Sequence, residues 1–102
     1  MTKEPNPRKE ALSQIDQMVN VDRNVSYGDP NADFERIAAL WNTYLQGRKD
    51  QSSIKPHDVA VMMVLLKVSR LCWSPEKDDN WLDMGGYSVC GYDVSRKLAK
   101  DA

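Results

Sequence analysis

Apolar positions recur along this chain at helical spacing, interrupted by proline-marked starts. Leu12, Ile15, Met18 and Val19 form one stripe, and Asn6-Pro7 ahead of them supplies an N-cap and a first-turn proline. The pattern predicts a first amphipathic helix from Pro7 to about Asn20, followed by an irregular segment from Val21 to Gly28. Asp29-Pro30 repeats the start signal, and Phe34, Ile37, Ala38, Trp41 and Leu45 make the apolar face of a second helix that closes near Gly47. Arg48 to Lys55 reads as a polar loop. Pro56 opens a third helix with Asp58 in its first turn, where a carboxylate suits the exposed N–H groups.

The run Val59 to Leu66 is apolar all round, so the third helix is expected at the centre of the fold. Ser74-Pro75 ends it, and Glu76 to Asp79 is a short turn. Asp79 is the expected N-cap of a fourth helix carrying Trp81, Leu82, Tyr87, Val89 and Leu98. Gly85 and Gly86 within it imply close helix approach or room for a ligand. The expected fold class is all-α: a small four-helix domain with a central apolar helix and an antiparallel C-terminal hairpin. At 102 residues it forms a single domain, with flexible ends at 1–6 and 99–102.

Composition narrows the function classes. The formal net charge is -1 and no basic stripe is present, which argues against a polymeric nucleic-acid partner. The mean hydropathy is -0.62 and no apolar run is long enough for a bilayer, so no membrane partner is expected. The N-terminus carries no secretory pattern, and the expected location is cytoplasmic. Cys72 and Cys90 lack metal-type spacing and are expected as buried small hydrophobes. No serine or cysteine triad, phosphate-cradling loop or metal-ligand cluster is visible, so no residue is put forward as catalytic or as a metal ligand and no cofactor is expected.

The chemistry the sequence does offer lies in the hairpin. Folding the chain about Glu76-Lys77 sets Arg70 opposite Asp83 and Lys67 opposite Tyr87. One reading is structural, an Arg70–Asp83 ion pair with a snorkelling Lys67. The other is an anion pocket in which Lys67 and Arg70 take a phosphate, Asp83 accepts from a sugar or base, and Arg23 and Tyr27 close the site. Trp41 is expected in the core, while Trp73 and Trp81 flank the turn, as core caps or as stacking surfaces.

The runs Asp22-Arg23, Tyr27-Gly28-Asp29-Pro30, Phe34, Ile37-Ala38 and Leu40-Trp41 resemble a family of small phage and prophage proteins. So do Asp58 to Met63, Leu66-Lys67-Val68 with Arg70, and Asp83 with Gly86-Tyr87; together they span Val19 to Asp93. The resemblance departs at Lys55, where a threonine-type cap is expected. It implies a phage origin, hence the cytoplasm of a bacterial host, and a helical fold without an established activity. The layout is distantly similar to MazG-type all-α nucleotide pyrophosphohydrolases, which bind magnesium through E-E-x-x-E and E-x-x-D motifs. Here Asn80 to Asp83 gives only N-x-x-D and the first motif is missing.

The leading expectation is therefore a homo-oligomeric phage accessory protein that binds a nucleotide-like anion without turnover, such as a sequestered host-defence signal. The alternatives are a magnesium-dependent pyrophosphohydrolase using Asp58, Asp79 and Asp83, completed across a dimer, and a module that inhibits a host factor.

Overall fold

The computed structural model describes residues 4–101, and all its regular structure is helical. Helix α1 spans Pro7–Gln17 and continues through a π-helical turn, Met18–Asp22, into α2, Arg23–Tyr27. Helices α3 (Pro30–Gly47), α4 (Pro56–Trp73) and α5 (Asp78–Asp101) follow. The first helix thus runs past Asn20, and the segment expected to be irregular is helical through Tyr27. Contacts from Arg23 to Asp33, from Trp73 to the Val25 carbonyl and from Lys77 to Ser26 tie this segment down as helix, none of which the apolar spacing shows. The expected flexible ends fall partly on residues 1–3 and 102, outside the described residues.

The start signals work as local chemistry dictates. Asn6 Oδ1 accepts from the backbone N–H groups of Arg8 and Lys9, and Asp29 Oδ1 accepts from Asn31. At the start of α4 the Lys55 ammonium cannot accept a hydrogen bond, so Asp58 supplies the cap. Its carboxylate takes the Lys55 backbone N–H at 2.8 Å. Helix α5 begins at Asp78, one residue ahead of the expected cap at Asp79.

Helix α4 is the middle of an open layer. It packs against α5 along one side and α3 along the other, and α2 touches it near its C-terminal end. Gly91 of α5 allows the closest approach, since a Cβ there would lie 2.8 Å from that of Ala60. Gly85 and Gly86 meet nothing within 4 Å, so neither close packing nor enclosed space explains them. Trp41 bridges α3 to α4, its indole N–H donating to the Met62 carbonyl at 2.6 Å. Cys72 and Cys90 are exposed rather than buried, because they sit on outward faces of α4 and α5.

Gly28 makes the corner between α2 and α3 and is the one residue of positive φ among those described. Its backbone, at φ 76° and ψ −155°, is open to glycine alone, and a Cβ would meet the Trp73 ring at 3.0 Å. Trp73 in turn donates to the Val25 carbonyl at 3.3 Å, clamping α2 to the end of α4. Gly28→Ala is therefore expected to cost about 1–3 kcal/mol in urea unfolding. Gly85→Ala is expected to be neutral or to stabilise by up to about 1 kcal/mol. A tolerated Gly28→Ala would show that the α2–α3 corner is not set by this contact.

Candidate functional site

The most buried side chains of this chain are polar. Ile37 is its only fully buried apolar residue among those described, whereas Asp33, Asp58, Lys67, Ser69, Ser74 and Asn80 are all buried. Buried charge must be paired or it neutralises itself, so the pairs define the sites.

The first site forms where α2, α3 and α4 meet. Asp33, with 0% exposure, accepts from Arg23 Nη2 at 2.8 Å and from the Ser69 hydroxyl at 3.0 Å. Ser69 Oγ in turn accepts from Arg36 Nε at 3.0 Å, and Arg70 Nε stands 3.9 Å from Asp33. The Arg70 guanidinium lies over the Tyr27 ring at 4.3 Å, Arg23 reaches both Tyr27 and Phe34, and Lys77 stands 5.5 Å from Tyr27. Lys77 also donates to Ser26 Oγ at 2.8 Å, and the Ser74 hydroxyl donates to the Ser26 carbonyl. Arg23 Nη1 and Arg70 Nε are buried without a hydrogen-bond partner among the described residues. Beside them opens a cleft of about 440 Å³ lined by Met18, Val19, Asp22, Arg23, Ser26, Tyr27 and Arg70. Its cations outnumber its carboxylates.

The expected site residues therefore divide. Arg23, Tyr27 and Arg70 share this cleft, with Arg23 and Tyr27 on a helix rather than in a loop. Lys67 and Asp83 pair with each other at 2.8 Å across α4 and α5, and Tyr87 lines a different cleft with Ala60, Val61 and Val64. The expected Arg70–Asp83 pair is not formed. The hairpin register is displaced by about one turn: Asp83 meets Lys67, three residues before Arg70, and Arg70 turns to the opposite side of α4 toward Asp33 and Tyr27. The tighter turn into α5 sets that register. Trp81 brackets it by donating to the Pro75 carbonyl at 2.9 Å.

A second buried carboxylate organises the far end of α4. Asp58, 1% exposed, accepts from Tyr44 Oη at 2.6 Å and from Arg48 Nη1 at 2.9 Å, with His57 Nε2 at 3.4 Å. Burial pushes the Asp58 pKa up, but the hydrogen bonds from Tyr44, the Lys55 backbone and Arg48, with the His57 charge, outweigh it and hold the carboxyl below its usual range. The Tyr44 hydroxyl is pushed up to about 12 by burial and by its bond to Asp58. Sequence reasoning missed Asp33, Ser69, Tyr44 and Arg48. The available signal was an acid in the first turn of both α3 and α4, which reads as a dipole partner until the opposing arginine is placed.

The fold and sites define a small all-α protein joined by buried ion pairs, with a cationic, aromatic-lined cleft. The chain belongs to the family described as "Domain of unknown function (DUF6378)", whose model matches residues 10–95. It is 38% identical over 77 residues to the Gene 55 protein of Mycobacterium phage L5, covering 76% of this chain and 47% of that protein. It is 35% identical over 79 residues to the Gene 55 protein of Mycobacterium phage D29, covering 78% and 49%. The chain thus spans about half the length of these curated relatives. The resemblance to phage proteins is borne out. No solved structure matches the chain.

Because the Asp58 pKa is lowered in the folded state, its stabilising contribution is complete above the ordinary carboxylate range. It is lost as pH falls through the lowered value. Denaturation is expected to become easier below about pH 4, and Asp58→Asn is expected to flatten that dependence while costing about 3 kcal/mol at neutral pH. Unfolding curves across pH 2–7 for both proteins check this; identical acid profiles would remove Asp58 from the account.

Proposed function

We propose that this protein is a phage accessory protein that binds a nucleotide-like anionic small molecule in the Arg23–Tyr27–Arg70 cleft and releases it chemically unchanged. The observation that carries the reading is the pair of arginines lining a 440 Å³ cleft, whose buried Arg23 Nη1 and Arg70 Nε have no hydrogen-bond partner among the described residues. A phosphate or phosphoanhydride matches the arginine fork and the local positive excess. The Tyr27 ring, with Arg70 over it at 4.3 Å and Lys77 Nζ 5.5 Å from its centre, gathers these cations at the cleft. Sequestration of a host-defence nucleotide is the role that follows for a phage protein that binds without turnover.

The pyrophosphohydrolase reading fits the residues poorly. Asp58 is occupied by Arg48 and Tyr44, and Asp83 by Lys67. Among the described residues no three His, Cys, Asp or Glu side chains converge as magnesium chemistry requires. No described helix is long and apolar enough to cross a membrane.

A thermal-shift screen of nucleotides, cyclic dinucleotides and NAD-derived molecules, with and without magnesium, tests the proposal. A ligand present at a hundred times its Kd adds about 2.7 kcal/mol to the native state, enough to raise the melting temperature by several degrees. Arg70→Gln leaves Asp33 paired with Arg23 and Ser69. It is expected to weaken binding at least tenfold while melting stays cooperative. Silence across all three ligand classes would defeat the reading, and magnesium-dependent release of pyrophosphate would replace it with the enzymatic one.

A further inference from the structure

Two apolar surfaces among the described residues lack a partner, one a helical stripe and the other a groove. The first is the stripe on α1 and the π turn. Leu12, Ile15, Met18 and Val19 are all exposed, and α1 contacts no element except the turn that follows it. A helical arm held only through its continuation into α2 is at best marginal in water, and an apolar stripe on it adds nothing to its stability until it is buried. The second surface is a groove of about 220 Å³ between α3 and α4, lined by Phe34, Ile37, Ala38, Trp41 and Leu66. It carries no charged or polar side chain, and Phe34 at its edge is more than half exposed.

The dimensions of the chain point the same way. The radius of gyration is 18.1 Å, against about 13 Å for a compact domain of this length. The accessible surface is 7870 Å², whereas a folded monomer of this mass exposes roughly 5,800 Å². The excess of roughly 2,000 Å² exceeds the roughly 800 Å² that each partner buries in a standard interface and suits an obligate one. With Ile37 as its sole fully buried apolar residue among those described, a single copy has very little core to hold it.

We infer that a second copy of this chain covers both surfaces by reciprocal exchange, each α1 stripe lying in the α3–α4 groove of its partner. Among the described residues α1 makes no contact with its own α3 or α4, and the molecule extends 64 Å along its longest axis, so the stripe does not fill the groove of its own copy. One two-fold axis then satisfies both apolar surfaces in both copies and closes the assembly, leaving no edge for further addition. Each α3–α4–α5 layer gains a fourth helix, which supplies the second layer a helical core requires. The inference does not depend on the ligand reading.

Sedimentation equilibrium of the full chain is expected to give twice the 11.6 kDa chain mass down to low micromolar concentration. Ile15→Glu, at a position that is exposed within one copy, is expected to weaken the dimer on the order of 100-fold. Geometry is tested in a Cys72→Ser, Cys90→Ser background. A copy with Ile15→Cys mixed with a copy carrying Ala38→Cys should form a disulfide between chains on mild oxidation. A monomeric mass at every concentration would overturn the inference. So would covalent dimers of the Ile15→Cys copy alone, which would mean that the two α1 stripes pair with each other. A disulfide within one chain carrying both cysteines would mean that α1 folds back onto its own groove, and would also overturn it.

Discussion

Much of this fold hangs on one carboxylate. Asp33 lies fully buried on α3 and receives Arg23 from α2 and Ser69 from α4, while Arg70 stands close by. An unpaired carboxylate there would cost several kcal/mol, so each of these groups is held to its position by the penalty of leaving it. That penalty fixes the angle at which the first helix meets the layer. It also fixes the side of α4 to which Arg70 turns. The corner at Gly28 and the indole of Trp73 complete the joint, since only a residue without Cβ fits beneath that ring.

Asp58 repeats the device at the other end of α4. It caps the helix that carries it and receives Tyr44 and Arg48 from the end of α3 and the loop beyond. The α3–α4 pair is thereby pinned near both ends by buried charge and bridged in the middle by Trp41. Such pairs specify geometry well but add little net stability, because desolvation consumes most of the Coulomb gain. A domain built this way needs apolar burial from elsewhere. The unpartnered stripe on α1 and the bare α3–α4 groove are where that burial is missing.

The joint around Asp33 and the proposed ligand cleft share residues, and this couples stability to binding. Arg23 pairs with Asp33 through Nη2 and leaves Nη1 without a hydrogen-bond partner among the described residues, while Arg70 Nε stands 3.9 Å from Asp33, too far for a hydrogen bond. An anion at those donors would add to the local negative charge that already holds the arginines in place. Binding would tighten the α2–α4 joint, which is why melting temperature is an apt readout.

How much of this was legible beforehand depends on the range of the interactions. Caps and periodicity act over three or four residues, so Asn6-Pro7, Asp29-Pro30, Pro56 and the closing of α3 at Gly47 could all be read directly. The family resemblance rested on the order of short runs and was equally accessible. The sequence groups Arg23, Tyr27 and Arg70, which line one cleft, with Lys67, Asp83 and Tyr87, which a hairpin register displaced by a turn places elsewhere. Register depends on how tightly Ser74 to Lys77 turns and on Gly91 meeting Ala60, neither of which a periodic pattern specifies. The partners of Asp33 and Asp58 lay further out of reach. An acid in the first turn of a helix satisfies the local rules whether it faces water or an arginine, and only the way the preceding segment folds back, ten residues upstream in each case, decided that both face arginine.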